Sequence, residues 1–192
     1  MATIRGGGTD GYAVGDVYYK EDTPIGVVFE VAEDNNYIKI VALEEQFLAH
    51  AVDSGTAVDF TGTFDENDGM VNLEGWDDFL TENYGYYTST DFPAFNYCAN
   101  YRGENQESYE WYVPAKNEMS KIRQNLGTIN NALGTITESI ALQTSYSYWT
   151  STFDSSATNK AYYVAMLSGN VSTANATTSC YVRPVRKIDL SN

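Results

Sequence analysis

The sequence has few of the residues on which most enzymes and nucleic-acid-binding proteins depend. Its 192 residues include one histidine, two cysteines, and 11 Lys and Arg against 26 Asp and Glu, for a formal net charge of -15. Nucleic-acid phosphates and anionic membrane surfaces both need clustered basic side chains, so this charge argues against either partner. No stretch approaches the roughly 18 consecutive apolar residues of a membrane span. We therefore expect neither nucleic-acid binding nor membrane insertion.

Catalytic and metal-binding groups are equally scarce. His50 lies in the apolar run Phe47-Leu48-Ala49-His50-Ala51, which favours a structural role, and one histidine cannot build a multi-histidine metal site. The acidic run from Asp65 to Gly69 departs from EF-hand spacing and lacks the final Glu, which favours a solvated turn. A catalytic pair of carboxylates, as in glycosidases, remains an alternative, but no sequence spacing identifies such a pair. We expect no catalytic residue, no bound metal and no cofactor.

The sequence predicts strands in the N- and C-terminal parts of the chain and helices in the middle. Residues 1–14 contain Gly6, Gly7 and Gly8 and lack the layout of an export signal, which predicts a flexible leader before one domain over residues 15–192. Helical patterns run from Asn72 to Tyr84, from Asp91 to Gly103, and from Pro114 to Gly127, with an extra turn over 129–133. The strand patterns are 16–20, 26–32, 37–43, 140–144, 148–153, 161–167 and 181–188. This order predicts an α+β fold with antiparallel sheets and two to three helices.

The C-terminal third is almost uncharged. Residues 139–181 contain only two charged residues, Asp154 and Lys160. From Ser168 to Cys180, three Ser, three Thr, two Asn and two Ala fill ten of thirteen positions, and the whole chain has 16 Tyr against 8 Phe. Rigid aromatic area, small polar groups and few charges to desolvate are typical of a binding surface. An ordinary Ser/Thr-rich loop region is the alternative.

Four blocks in this order resemble a known family: Trp111 to Ala115, Tyr148 to Thr152, Ala161 to Val164, and Tyr181 to Arg186. They are similar to a C-type-lectin-fold family related to the formylglycine-generating enzyme, over roughly residues 15–188. Within that fold the chain looks most like the variable proteins of diversity-generating retroelements. The resemblance implies a C-type-lectin-like fold. It also implies a segment, about 139–186, that adenine-directed mutagenesis rewrites to form a ligand-binding face on a constant scaffold.

The same resemblance has consequences for composition and for cysteine. Diversified asparagine codons become Ser, Thr, Ala, Tyr, Asp, Gly or Cys but not Lys, Glu, Gln, Met or Trp, and Ser168 to Cys180 has none of the latter five. Cys180 is then one product of mutagenesis, which argues against a bridge to Cys98, a small buried hydrophobe. The calcium triplets of sugar-binding C-type lectins and the cysteine motifs of the formylglycine-generating enzymes are absent. The resemblance therefore implies neither calcium-dependent sugar binding nor enzyme activity for this chain.

Strand alternation selects the residues of the predicted face. Along 161–167, it places Tyr162, Val164 and Met166 inward and the residues between them outward. With the neighbouring loops, the predicted ligand-binding residues are Ser145, Tyr146, Ser147, Thr158, Asn159, Tyr163, Ala165, Leu167, Ser168, Asn170, Ser172, Thr173, Asn175, Thr177 and Thr178.

These observations predict a retroelement-diversified receptor-binding or adhesin domain without catalysis. We expect it to be extracellular, on a bacterial surface, a pilus or a phage tail, and to bind a protein or glycan on another cell or surface. A homo-oligomer or a pilus or tail assembly is compatible with this prediction. The alternative is a structural pilus or tail subunit whose C-terminal face mediates assembly, and a hydrolase that uses carboxylates is the third candidate.

Overall fold

The computed structural model describes residues 11–53, 55, 65–101, 110–157 and 159–190, and these residues have an α+β fold, as predicted. The strands are β1 (Val17–Lys20), β2 (Thr23–Val31), β3 (Tyr37–Val41), β4 (Gln46–Ala49), β5 (Ser147–Phe153), β6 (Lys160–Ala165), β7 (Val171–Asn175), β8 (Ser179–Val182) and β9 (Val185–Asp189). Between β4 and β5 lie α1 (Gly69–Glu82), a 3₁₀ turn (Ser89–Asp91), α2 (Pro93–Ala99), α3 (Lys116–Gln124) and α4 (Leu126–Leu133). The described part thus has one helix more than predicted. None of its helices has the length and apolar character needed to cross a membrane.

The first sheet is antiparallel and has the order β1-β2-β3-β9. The strands predicted over 26–32 and 37–43 form a hairpin, and Asn35 turns it with a φ of 56°, a left-handed conformation that Asn tolerates. The second strand begins at Thr23, three residues before the predicted start at residue 26. The turn lies at Glu21, with a φ of 57°, so Thr23 and Pro24 already pair with β1.

The N-terminal part of this sheet includes residues that were predicted to belong to a flexible leader. Residues 1–10 of that leader lie outside the described residues. Tyr12 packs on Tyr18, with ring centroids 5.9 Å apart, and the Ala13 N–H donates to the carboxylate of Asp16 over 2.8 Å. Residues 11–14 therefore pack on the sheet.

The second sheet has the order β4-β8-β5-β6-β7 and is mixed. β5 and β8 are parallel, with Tyr148 opposite Tyr181, whereas the other pairs are antiparallel. The prediction of antiparallel sheets is wrong at this pair, because the chain crosses the sheet after β7 and returns in the direction of β5. β5 is the central strand and is buried from Tyr148 to Phe153.

Two predicted strands take other forms. Residues 140–144 are not a strand, because the backbone of Leu142 is bonded to a side chain instead of a ladder: its N–H donates to Asn130 Oδ1 over 2.8 Å, and its carbonyl accepts from Asn130 Nδ2 over 3.0 Å. The run 181–188 is divided at Arg183 and Pro184, where the chain passes from the second sheet to the first. Pro184 is buried and its carbonyl accepts from the Ala42 N–H, so this part of the chain is not a free strand edge.

Three helix starts and stops also differ from the prediction. Asp68, not Asn72, caps α1 by accepting from the Met70 N–H over 3.0 Å, and Asn72 lies buried within the helix. Phe92 rather than Asp91 is the N-cap residue of α2. The third predicted helix is two helices, because the chain breaks at Asn125 and Gly127, the predicted stop, lies in α4. The predicted stop of the second helix, Gly103, lies outside the described residues.

A buried carboxylate joins the helices to the first sheet. Glu118 of α3 is 1% exposed, forms an ion pair with Lys39 of β3, and accepts from the Tyr112 hydroxyl over 3.1 Å. It also accepts from the backbone N–H groups of Gly69 over 3.0 Å and Ala115 over 2.8 Å. Burial raises the pKa of Glu118, although Lys39 opposes this shift. The starts of α1 and α3 are thereby held together, and with them the helical layer that supports β5 and β6.

Candidate functional site

The predicted ligand-binding residues lie on the second sheet, above a buried framework. Trp149, Val164 and Met166 are each 1% exposed or less. The Trp149 indole N–H is shared between the carbonyls of Leu48, at 3.1 Å, and Thr178, at 3.2 Å. These two hydrogen bonds fix the connection between β7 and β8 over the centre of the sheet.

One continuous uncharged surface follows from the strand register. Ser147 of β5 is opposite Ala165 of β6, and Tyr163 of β6 is opposite Ser172 of β7. The Ala165 N–H donates to the Asn170 carbonyl over 2.9 Å and extends the same ladder. Directly opposed residues in an antiparallel pair share a face, so these five side chains lie on one side of the sheet. We call Ser147, Tyr163, Ala165, Asn170 and Ser172 the polar face.

Tyr163 is the aromatic residue of the polar face. It is half-buried, with its ring edge-to-face against Trp149 at a centroid distance of 6.2 Å. Beyond the end of β6, Leu167 is 75% exposed at the turn into β7. The polar face therefore combines a supported aromatic ring, small polar groups and a protruding aliphatic side chain.

The structure describes fourteen of the fifteen predicted residues, and none of these fourteen is buried; Thr158 lies outside the described residues. Exposed are Ser145, Tyr146, Leu167, Ser168, Asn170, Ser172, Asn175, Thr177 and Thr178, and half-buried are Ser147, Asn159, Tyr163, Ala165 and Thr173.

The predicted set does not form one surface. Thr173 is opposite Tyr162, whose ring lies 4.5 Å from the Lys116 ammonium of α3, so Thr173 is on the face that the helices cover. Asn159 precedes β6 and Leu167 follows it, which separates them by roughly 25 Å of extended chain. The expectation that Tyr146, Asn159, Leu167 and Thr173 lie side by side is corrected accordingly. Alternation along a strand and the length of the strand are the physical reasons.

Tyr146 belongs to a second exposed surface that the sequence did not predict. Tyr181 of β8 lies between Phe47 of β4 and Tyr146, at centroid distances of 5.2 and 5.3 Å and interplanar angles of 62° and 70°. Phe47 is 55% and Tyr146 53% exposed. We call Phe47, Tyr181 and Tyr146 the aromatic row. Because Ser147 and Tyr148 are adjacent in β5 and Tyr148 opposes Tyr181, the aromatic row and the polar face lie on opposite sides of the sheet.

Three titratable side chains near these surfaces, Glu45, Arg183 and His50, are buried and bonded within the protein. Glu45, Arg183 and the Tyr148 hydroxyl form a buried cluster beneath the aromatic row. His50 is fully buried, its Nε2 lies 2.8 Å from the Thr150 carbonyl, and burial lowers its pKa to about 4. Within the described residues, no group of three or more His, Cys, Asp or Glu side chains is arranged to hold a metal ion.

The predicted acidic turn and the two cysteines also have defined surroundings. Asp65 accepts from the N–H groups of Asn67 and Asp68, and Asp68 caps α1, so both carboxylates are bonded to backbone. Cys98 and Cys180 are unpaired and buried, which confirms that no bridge joins them and that Cys98 is a small core residue. Cys180, however, is 8% exposed, which does not fit a water-facing, diversified position.

Comparison with known proteins gives a family and a shared fold. A family model described as the Lcl C-terminal domain matches residues 57–186, more than half of the 192-residue chain. No curated protein matches the sequence. Among solved structures, a fimbrial protein from Bacteroides ovatus has a similar fold, with a TM-score of 0.66 and 19% sequence identity over 90% of this chain. The chain spans about half of that protein, 48% of its length.

Proposed function

The chain belongs to the Lcl C-terminal domain family, and we propose that it is a surface-displayed recognition domain that binds a partner on another cell or surface and performs no catalysis. In this proposal residues 15–192 act as one domain, and the polar face of its second sheet is the binding surface. Display on a bacterial surface, pilus or phage tail is proposed from the fold shared with the fimbrial protein.

The observation that carries the proposal is an uncharged, partly exposed surface on an otherwise acidic protein. The whole chain has a net charge of -15, yet the polar face consists of Ser, Tyr, Ala and Asn side chains. Covering such a surface desolvates no charge, so association avoids the cost of burying unpaired ionic groups. Tyr163, held against the buried Trp149, supplies rigid contact area that loses little conformational freedom on binding.

A charge placed on the polar face is expected to abolish recognition. Ser172→Glu should weaken binding of the labelled protein to its target at least about tenfold, because the carboxylate must be desolvated in the interface. The measurement is binding of the fluorescent protein to a panel of intact bacterial cells and matrix-coated surfaces. Val171→Glu is the matched control, since it adds the same charge to the preceding residue, which is also exposed but lies on the opposite face of the sheet. Equal effects of the two variants, or no effect of either on a bound target, would contradict the proposal.

We further propose that the segment from about 139 to 186 is diversified by a retroelement. Support comes from the restricted composition of residues 168–180, most of which are exposed, around a buried framework that includes Trp149 and Val164. The expected observation is a near-copy of the coding segment for Ser139 to Arg186, differing only at adenines, beside a reverse transcriptase gene. If the neighbouring DNA lacks both, this part of the proposal fails while the recognition surface is unaffected.

The second candidate function is a structural pilus or tail subunit, and the aromatic row favours it. In the aromatic row the rings of Phe47 and Tyr146 are exposed on either side of the half-buried Tyr181, and contiguous aromatic surface of this kind often marks a protein–protein contact. The fold shared with a fimbrial protein agrees with such a role. Two results together would favour this candidate over recognition by the polar face. In light scattering, the wild type would form an assembly that the double variant Phe47→Ser, Tyr146→Ser does not form. Ser172→Glu would bind cells as well as the wild type does.

A further inference from the structure

A cleft of about 640 Å³ lies between strand β4 and helix α2, at the far edge of the sheet from the polar face. We propose that this β4–α2 cleft binds a neutral polyhydroxylated ligand, namely a mono- or disaccharide unit, without calcium. Its lining consists of Glu44, Gln46, Leu48, Thr90, Pro93, Asn96, Tyr97, Asn100 and Tyr101. The volume lies within the range of about 300–1,000 Å³ that is usual for small-molecule sites.

The cleft presents polar groups whose hydrogen-bonding capacity is unused within the described residues. Asn100 Nδ2 donates to Asn96 Oδ1 and to the Asn96 carbonyl, each over 2.9 Å, which orients both amides along one side of α2. These bonds do not use Asn96 Nδ2 or Asn100 Oδ1, and neither the Gln46 amide nor the Tyr97 hydroxyl has a hydrogen bond to another described residue. The cleft is thus lined by three side-chain amides, those of Asn96, Asn100 and Gln46, and by the Tyr97 hydroxyl, which together provide hydrogen-bond donors and acceptors.

The charges of the lining select against ionic ligands. Its described residues include no Lys, Arg or His, so they offer phosphate, sulfate and carboxylate groups no counter-charge, and the protein has a net charge of -15. Glu44, the single carboxylate among these described lining residues, is exposed, which is too little to hold a cation with its water removed. Burial, with contributions from Cys98, Tyr101 and Glu44, raises the pKa of Tyr97, so its hydroxyl keeps its proton and serves as donor and acceptor at neutral pH. Neutral hydroxyl groups match this set.

The remaining wall of the cleft is apolar. The rings of Tyr97 and Tyr101 meet edge-to-face with centroids 6.0 Å apart, and Pro93 and Leu48 add aliphatic surface. A pyranose ring has hydroxyl groups around its rim and C–H groups on its faces. The amides of the cleft can bond to the hydroxyl groups, and its tyrosine rings can pack on the C–H groups. A ligand with only hydroxyl groups or only apolar surface would leave half of the lining unmatched.

The test is saturation-transfer NMR and calorimetry on the full chain with a panel of neutral sugars: glucose, galactose, mannose, N-acetylglucosamine, cellobiose and lactose, with EDTA present. We expect at least one to bind with millimolar affinity. Asn96→Ala and Tyr97→Phe should each weaken that binding about tenfold, because each removes hydrogen-bonding groups from the ligand. Asn131→Ala, on the exposed side of α4, and Tyr84→Phe, on the loop after α1, are the matched controls and should change nothing.

Three results would overturn the inference: no sugar of the panel binds, a sugar acid such as glucuronate binds more tightly than its neutral counterpart, or the cleft variants bind the sugar as well as the controls do. The test also separates this site from the polar face. β4 and β7 are four strand spacings apart, about 19 Å, so Ser172→Glu should leave sugar binding unchanged. Sugar binding that Ser172→Glu abolishes and Asn96→Ala does not would place the ligand on the polar face instead of the cleft.

Discussion

Replacement of Arg183 by methionine is expected to lower the free energy of unfolding by about 3–5 kcal/mol, because it leaves a buried carboxylate without its counter-charge. The Arg183 guanidinium lies 3.0 Å from Glu45, and the two side chains are 0% and 2% exposed. Arg183 also donates to the carbonyls of Ala42, over 3.0 Å, and Ile140, over 2.6 Å. Burial raises the pKa of Glu45 and Arg183 opposes this shift. Urea denaturation at neutral pH measures the effect.

Arg186 provides the matched control three residues further along the chain. It pairs with Glu110 at 2.7 Å, but the two side chains are 14% and 31% exposed, so Arg186→Met should cost no more than about 1 kcal/mol. The double variant Glu45→Gln, Arg183→Met should be less destabilised than Arg183→Met alone, since it removes both charges. Equal losses in Arg183→Met and Arg186→Met, or strict additivity in the double variant, would show that the Glu45–Arg183 pair is not the cause.

The parts of the fold that the sequence predicts are those with a local hydrophobic pattern. Strands β2, β3, β5 and β6 and the inward positions Val164 and Met166 follow from alternation, because each of these segments contributes to a core. β4 and β7 were missed. β4 has only four residues and is paired with β8, more than a hundred residues away. β7 is an edge strand of Ser, Thr, Ala, Asn and one exposed Val, so it has little to bury and no apolar period.

The weak pattern of β7 also makes the predicted binding face too wide. The composition of this segment is typical of a loop and predicts both Ser172 and Thr173 on the binding face, and only the pairing of β7 with β6 separates them onto two sides of the sheet. Likewise, Tyr146 was grouped with Ser147, although the aromatic row that it joins depends on Phe47 and Tyr181 from two other strands. The exposure of these residues was predictable from composition. Their division between two faces depends on long-range register, which composition does not encode.

The buried charges were unpredictable for a similar reason. Arg183 stands between Val182 and Pro184, where a core position would be expected to be apolar, and its partner Glu45 lies in a segment without any periodic signal. Their pairing arises only where the chain passes from the second sheet to the first after β8. The polar face is carried by the neighbouring strands of this sheet, so the same ion pair supports the geometry on which the proposed recognition depends.

Acidification is expected to destabilise the protein through His50. Its side chain is surrounded by Phe95, Trp149 and Phe153, with ring centroids 4.6 to 5.5 Å away, and none of these is charged. Nε2–H donates to the Thr150 carbonyl and Nδ1 is buried without a hydrogen-bond partner, so a proton added there would place a charge among apolar rings. Burial thus lowers the pKa of His50 from 6.5 to about 4. The unfolded state then binds the proton more readily, and the free energy of unfolding falls as the pH drops from 6.5 to 4, by about 3 kcal/mol in total.

The contribution of His50 is isolated by comparing the wild type with His50→Gln, which retains an N–H donor for Thr150 but does not titrate. Denaturant unfolding of both proteins between neutral pH and pH 4 should show a stability difference that shifts in favour of the variant as the pH falls. Burial raises the pKa values of Glu45 and Glu118, so these two groups increase the free energy of unfolding as the pH falls, the opposite of His50. Both proteins contain these groups, so their contribution cancels in the difference between wild type and variant. A constant loss in the variant does not alter this slope. Parallel curves would mean that the folded protein accepts the proton on His50 without cost, so that the apolar cage of three rings around the imidazole opens in solution.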